Sequence, residues 1–184
     1  MSIPFIILVA VIVVILAFVW SIYNSLSTGR VKIKEAFSGI NVQLKIRIDL
    51  IPNLVEAVKG YAKHEKEVFE NVTKARSALM KAEGPREKAQ SDNMLAGALK
   101  SLFAISESYP QLRATENFKE LQEELSDTEN KIAYARQFYN TNVRDYNSTL
   151  VSFPGNVTGG MFGFKQEEFF EAEEEDKKPV AVKF

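Results

Sequence analysis

The side chains able to do chemistry are few. His64 is the single histidine of the 184-residue chain, and cysteine is absent, which excludes disulfides, thiolate metal sites and cysteine nucleophiles. Glu65, Lys66, Glu67 and Glu70 surround His64 on what reads as a charged helix face. A histidine with Glu67 or Glu70 is a thin ligand set, because metal sites gather a second histidine or converging carboxylates. A serine nucleophile would need an elbow turn and a glycine-rich oxyanion loop, and no serine here has either. The glycines at positions 155, 159, 160 and 163 match neither the Walker nor the dinucleotide spacing. No catalytic group, cofactor or metal is therefore expected. What remains is a polar cluster of Lys45, Arg47, Asp49 and Asn53 beside Pro52, which reads as a contact surface or as an ion-pairing and capping cluster that stabilises a kinked helix.

The elements that carry these residues follow from periodicity. Residues 3–23, from Ile3 to Tyr23, bear no charge and as a helix would extend about 31 Å, which matches a bilayer core of roughly 30 Å. The pattern predicts a membrane span contacting lipid, not a cleaved signal peptide, since neither a basic leader nor a small-residue cleavage site flanks it. Trp20 and Tyr23 sit where aromatic belts form, and Arg30, Lys32 and Lys34 follow. The positive-inside rule then places the N-terminus outside and the remaining domain in the cytoplasm. Gly29 is the expected hinge between them.

Beyond Gly29, apolar residues recur at three-and-four spacing through Phe37, Ile40, Leu44, Ile48, Ile51, Val55, Val58, Ala62, Phe69, Val72 and Leu79. The spacing predicts one helix over 31–80, kinked by Pro52, which lacks a donor and crowds the Ile48 carbonyl. Glu83-Gly-Pro85 ends it, and a second helix is predicted over 86–106. Tyr109-Pro110 stops that helix, and Asn117 with Glu120 suggests a capping box opening a third. Phe118, Leu121, Leu125, Ile132, Ala135, Tyr139, Val143, Tyr146, Leu150 and Phe153 approach a seven-residue repeat, as in a coiled coil. The fold class is all-α: an N-terminal transmembrane helix followed by a long antiparallel three-helix bundle with coiled-coil-like packing. The domain division is 1–29 for anchor and hinge, 30–154 for the bundle, and 155–184 for a Gly/Phe-rich and acidic tail. Its aromatics suggest docking on the bundle or a neighbour, with lipid contact as a lesser alternative.

Several of these segments resemble the LemA family of membrane proteins. The carriers are Asp49-Leu-Ile-Pro-Asn-Leu-Val-Glu56, Gly60-Tyr-Ala, His64-Glu65, Tyr109-Pro-Gln-Leu112, Tyr139-Asn140, Tyr146-Asn147, Phe153-Pro154, Gly163-Phe164 and Phe169-Phe170-Glu171. The similarity runs over about 23–171, while Ile48 and Thr158-Gly-Gly160 depart from the family pattern. It implies a single-pass bacterial membrane protein with a helical domain, from a family without an established biochemical role.

Lys plus Arg (23) nearly balances Asp plus Glu (24), so no basic excess exists to hold nucleic acid. The leading expectation is a non-enzymatic scaffold of the bacterial cell membrane that self-associates or holds partner proteins. A carboxylate-based hydrolase, or its regulatory subunit, would need two buried acids facing a cleft. A lipid-binding or membrane-remodelling protein would need an apolar groove beside the bilayer. The helix lengths predict a homo-oligomer: a short second helix would leave Phe37, Ile40, Leu44 and Ile48 uncovered near the membrane, an interaction stripe next to Arg47, Asp49, Pro52 and Asn53. Folding of residues 155–184 over the stripe is the competing expectation.

Overall fold

The structure is a computed structural model that describes residues 2–62 and 64–171. Its first helix, α1 (Ile3–Lys59), runs 57 residues, about 85 Å, from the apolar N-terminus straight into the bundle. Then come α2 (Lys66–Lys81), α3 (Gly84–Glu107), the short α4 (Pro110–Ala114), α5 (Glu116–Val151) and α6 (Gly155–Phe162). No strand occurs among the described residues. The all-α class stands, with a long apolar N-terminal helix followed by packed helices.

Gly29 is not a hinge. It lies inside α1, and a methyl group added there would come 3.0 Å from Tyr146 Cδ2, so its role is to let α5 approach closely. The helix also passes Pro52 unbroken, as the continuous apolar phase predicts. A specific contact explains this. Pro52 has no N–H for the Ile48 carbonyl four residues back, and Arg76 Nε of α2 donates to that oxygen at 2.9 Å. The freed acceptor thereby becomes an interhelix bond.

The predicted helix over 31–80 is two helices. It breaks after Lys59, where Gly60 is a weak helix former, and the chain reverses before Lys66. Ala62, Phe69 and Val72 stay buried on either side of the reversal, because two antiparallel helices facing one core keep the same apolar phase as one straight helix. The far half of the bundle thus packs α1, α2, α3 and the start of α5, where an up-down-up-down order places the α2–α3 hairpin beside the α1–α5 pair. The start of α5 falls at Glu116 with Thr115 as N-cap, and no side-chain capping bond forms, so the expected capping box at Asn117 is absent.

The half nearer the apolar N-terminal segment is built differently. Here α5 runs antiparallel to α1 as far as the end of the apolar segment: Arg47 meets Glu129, the Phe37 ring lies 5.7 Å from Tyr139, and Gly29 faces Tyr146. Ile33, Ala36, Ile40 and Leu44 are buried, and Phe37 and Ile48 are partly so. The stripe expected to stand uncovered is covered inside the chain. A third helix starting at mid-height could not have reached it, but the extra reversal at Gly60 returns the chain to the top before α5 begins. Phe153, expected to extend the α5 seam, is 82% exposed, because α5 has ended at Val151 and the chain turns at Pro154 into α6.

Candidate functional site

Two polar constellations interrupt the apolar interior. The first crosses the bundle where α1, α3 and α5 meet. Arg47 Nη1 donates to Asp92 Oδ1 at 2.8 Å, Arg47 Nη2 pairs with Glu129 Oε2 at 2.8 Å, and Arg136 Nη1 lies 3.9 Å from Asp92 Oδ2. Arg47 and Asp92 are both buried, whereas Glu129 is half-exposed. Burial pushes the Asp92 carboxyl above the usual carboxylate range against the pull of Arg47, with Glu129 adding repulsion and Arg136 opposing it. An acid whose two oxygens face two guanidinium groups is fixed in place as a tie between helices.

The polar cluster read from the sequence is split by the fold. Arg47 turns inward to this tie; Lys45, Asp49, Pro52 and Asn53 face solvent, and Lys45 Nζ pairs with Asp49 at 2.8 Å one turn along the surface. His64 is not on a helix face but in the turn between α1 and α2, exposed, while Lys66 pairs with Glu70 at 3.5 Å. A groove of about 730 Å³ along α2 is lined by Lys59, Lys66, Phe69, Glu70, Thr73 and Lys74. It brings one carboxylate, Glu70, among three lysines. The described carboxylates thus present one buried acid, tied to arginine, and not two facing a cleft.

The second constellation is a clamp on the chain's own C-terminal segment. After Gly163, whose φ of 71° only glycine adopts freely, the chain runs extended along α5. Tyr146 OH donates to the Lys165 carbonyl at 2.9 Å, and Tyr139 OH to the Glu168 carbonyl at 2.8 Å. Asn147 takes both polar groups of Glu167: its Nδ2 donates to the carbonyl at 2.9 Å and its Oδ1 accepts the N–H at 2.9 Å. Asn140 does the same at Phe170, with 3.3 Å and 2.8 Å.

This ladder rests on a match of periods. Seven residues of helix rise about 10.5 Å, and three residues of extended chain advance about 10 Å. A Tyr-Asn pair repeated every seven residues on α5 therefore grips an antiparallel segment every three residues. An asparagine amide offers the same donor and acceptor as a peptide unit, so each one replaces a neighbouring strand. Phe170 anchors the end, buried, 6.4 Å from the Tyr139 ring and 5.2 Å from the Arg136 guanidinium. Burial, with Glu167 and Glu168 nearby, pushes the Tyr139 hydroxyl up to about 12; Tyr146 is raised by burial as well. The seven-residue recurrence of Tyr-Asn was visible in the sequence, but its partner segment was not. The docked tail matches one of the two placements expected for its aromatics as far as Glu171; residues 172–184, with most of the acidic run, lie outside the described residues.

A candidate membrane span that rises without interruption into an antiparallel bundle, closed by a clamped C-terminal segment, defines a helical-bundle protein with a long apolar N-terminal helix. The chain belongs to the LemA family, whose model matches residues 36–184. It is similar to magnetosome protein MamQ 2 of Paramagnetospirillum magneticum and to magnetosome protein MamQ of Magnetospirillum gryphiswaldense, each 24% identical over 86% of this chain and 68% of the relative. It is also similar to protein LemA of Metamycoplasma hominis, 26% identical over 85% of this chain and 72% of that protein.

Proposed function

We propose that the protein is a non-enzymatic, membrane-anchored scaffold of the bacterial envelope, which holds a stiff helical rod at a fixed attitude to the bilayer and assembles with copies of itself or with partner proteins. The observation that carries this reading is the continuity of α1 through Gly29. An unbroken helix packed on α5 beyond the apolar segment transmits position and orientation to the bundle. The interior polar groups fit the same reading, because Asp92, Arg47, Tyr139 and the two asparagines are occupied in joining elements.

The rod stands on the cytoplasmic side in this reading, supported by Arg30, Lys32 and Lys34 just after the span. Self-association is supported by the anchors' confinement to one plane and by Ala10, Ala17 and Ser21 near a common face of the span.

Spin labels at exposed positions 20 and 42 of the full chain in lipid test the carrying observation. A continuous helix gives a narrow distance distribution near about 33 Å. A broad distribution would refute the stiff coupling. The mass of gently extracted protein tests assembly against the 20.7 kDa chain: a monomer in every mild detergent would remove self-association. Protease added outside intact cells should spare the region after Arg30.

A further inference from the structure

The short helix α6 is built inside out. Its small residues face the bundle: Gly155, Thr158 and Gly159 are buried against the end of α5. Close packing requires the two glycines, since a Cβ on Gly155 would strike the Thr149 carbonyl and one on Gly159 would strike Leu150 Cδ1. Its large apolar residues face away. Met161 is 70% exposed, Val157 and Phe162 are each 52% exposed, and Phe153, just before the helix, is 82% exposed. In a water-facing helix that outer face would be polar. An outward apolar face needs a partner, and the position of α6 in the fold names it.

The antiparallel register of α1 and α5 fixes the height of this patch. Arg47 faces Glu129, Phe37 faces Tyr139 and Gly29 faces Tyr146, so continuing the same steps brings the end of α5 level with Tyr23. Ring contacts confirm the level: Tyr23 lies 4.9 Å from Phe162 and 5.6 Å from Phe164. Tyr23 closes the apolar run, one turn after Trp20, at the border where the proposed span ends. The apolar face of α6 therefore continues the apolar surface of the span, at right height to enter the same bilayer.

We propose that α6, with Phe153, is an interfacial foot: Phe153, Val157, Met161 and Phe162 insert into the headgroup–acyl boundary of the leaflet from which the bundle emerges. Helices with such a face lie about 5–10 Å deep at that boundary. The foot gives the rod a second point of membrane contact beside the span, which resists tilting of the bundle. Lys32 and Lys34, exposed on the next turns of α1, stand over the phosphate layer. The proposal rests on the reading of residues 3–23 as a span, and its test separates the two.

Three single-tryptophan forms of the full chain are reconstituted in phosphatidylethanolamine and phosphatidylglycerol vesicles carrying brominated acyl chains. The wild type reports Trp20 in the span, Trp20→Phe with Met161→Trp reports the foot, and Trp20→Phe with Tyr134→Trp reports exposed α5 surface far from the membrane. Trp20 and the residue at 161 should lose roughly half their emission or more to bromine, with a blue-shifted maximum at 161, as expected at that depth. The residue at 134 should emit as in water, unquenched. Quenching of Trp20 without quenching at 161 overturns the foot and leaves the span standing. A blue shift at 161 that bromine does not quench, and that grows with protein-to-lipid ratio, assigns the face to a second copy and also overturns it. An unquenched Trp20 removes span and foot together. Val157→Trp repeats the measurement one helical turn away and must agree.

Discussion

Replacing Arg76 tests why α1 survives its proline. Arg76→Met keeps the aliphatic stem and removes the donor that serves the Ile48 carbonyl at 2.9 Å. A hydrogen bond from a charged group contributes about 1.5–3 kcal/mol, and because Arg76 is only partly buried, about 1.5 kcal/mol is the expected loss. For a chain of this size that lowers the unfolding midpoint by about 3–6 °C. Pro52→Ala restores an N–H four residues after Ile48, so the carbonyl regains a helical partner and Arg76 becomes dispensable. In the Pro52→Ala background the same Arg76→Met change should cost about 0.5 kcal/mol or less, giving a coupling near 1 kcal/mol. Thermal unfolding of the four full-length proteins in one mild detergent, followed by helical circular dichroism, measures the cycle. Equal losses in the two backgrounds, within about 0.5 kcal/mol, would refute the compensation.

The interior ion pair should behave as a buried one. Arg47→Met alone leaves buried Asp92 with only Arg136 at 3.9 Å and should cost about 3 kcal/mol, while Arg47→Met with Asp92→Leu should recover most of that in the same unfolding assay. Asn140→Leu and Asn147→Leu each remove a two-bond grip on the C-terminal segment, so limited trypsin should cut after Lys165 faster in each variant and fastest in the double variant. Alkaline pH should release the same segment. The Tyr139 hydroxyl is raised from 10 to about 12 in the folded protein, so its contribution is complete below pH 10 and declines as the pH rises toward 12, when the unfolded chain holds fewer protons than the folded one. Tyr139→Phe should weaken docking at neutral pH and flatten this alkaline limb, measured as the mobility of a spin label at exposed position 166 against pH.

Local pattern was enough to read the long apolar N-terminal helix, the helical class and most of the buried face. Those features depend on local periodicity: a charge-free run from Ile3 to Tyr23, and apolar residues at three-and-four spacing from Phe37 to Leu79, state their environment without knowledge of the partner. The same periodicity concealed the reversal after Lys59, since Val58, Ala62, Phe69 and Val72 keep one phase whether the chain continues or folds back. That single ambiguity moved the start of α5 to the top of the bundle and reversed the expectation for Phe37, Ile40 and Leu44.

Tertiary structure alone decided which polar residues act together. Arg47 read as one member of a cluster with Lys45, Asp49 and Asn53, but residues two apart on a helix do not face each other, and its carboxylates proved to be Asp92 and Glu129 on other helices. Arg76 and Pro52 are joined by one carbonyl that no pattern links to either. Tyr139-Asn140 and Tyr146-Asn147 announced a repeat of seven, yet the segment they hold carries a repeat of three, and only an extended chain laid antiparallel to a helix makes those two periods equal. The glycines of α6 show the same division. Their spacing names small residues on one side of a helix, but whether that side meets α5 or solvent, and therefore whether Val157 and Met161 face inward or outward, depends on where the turn at Pro154 delivers the chain.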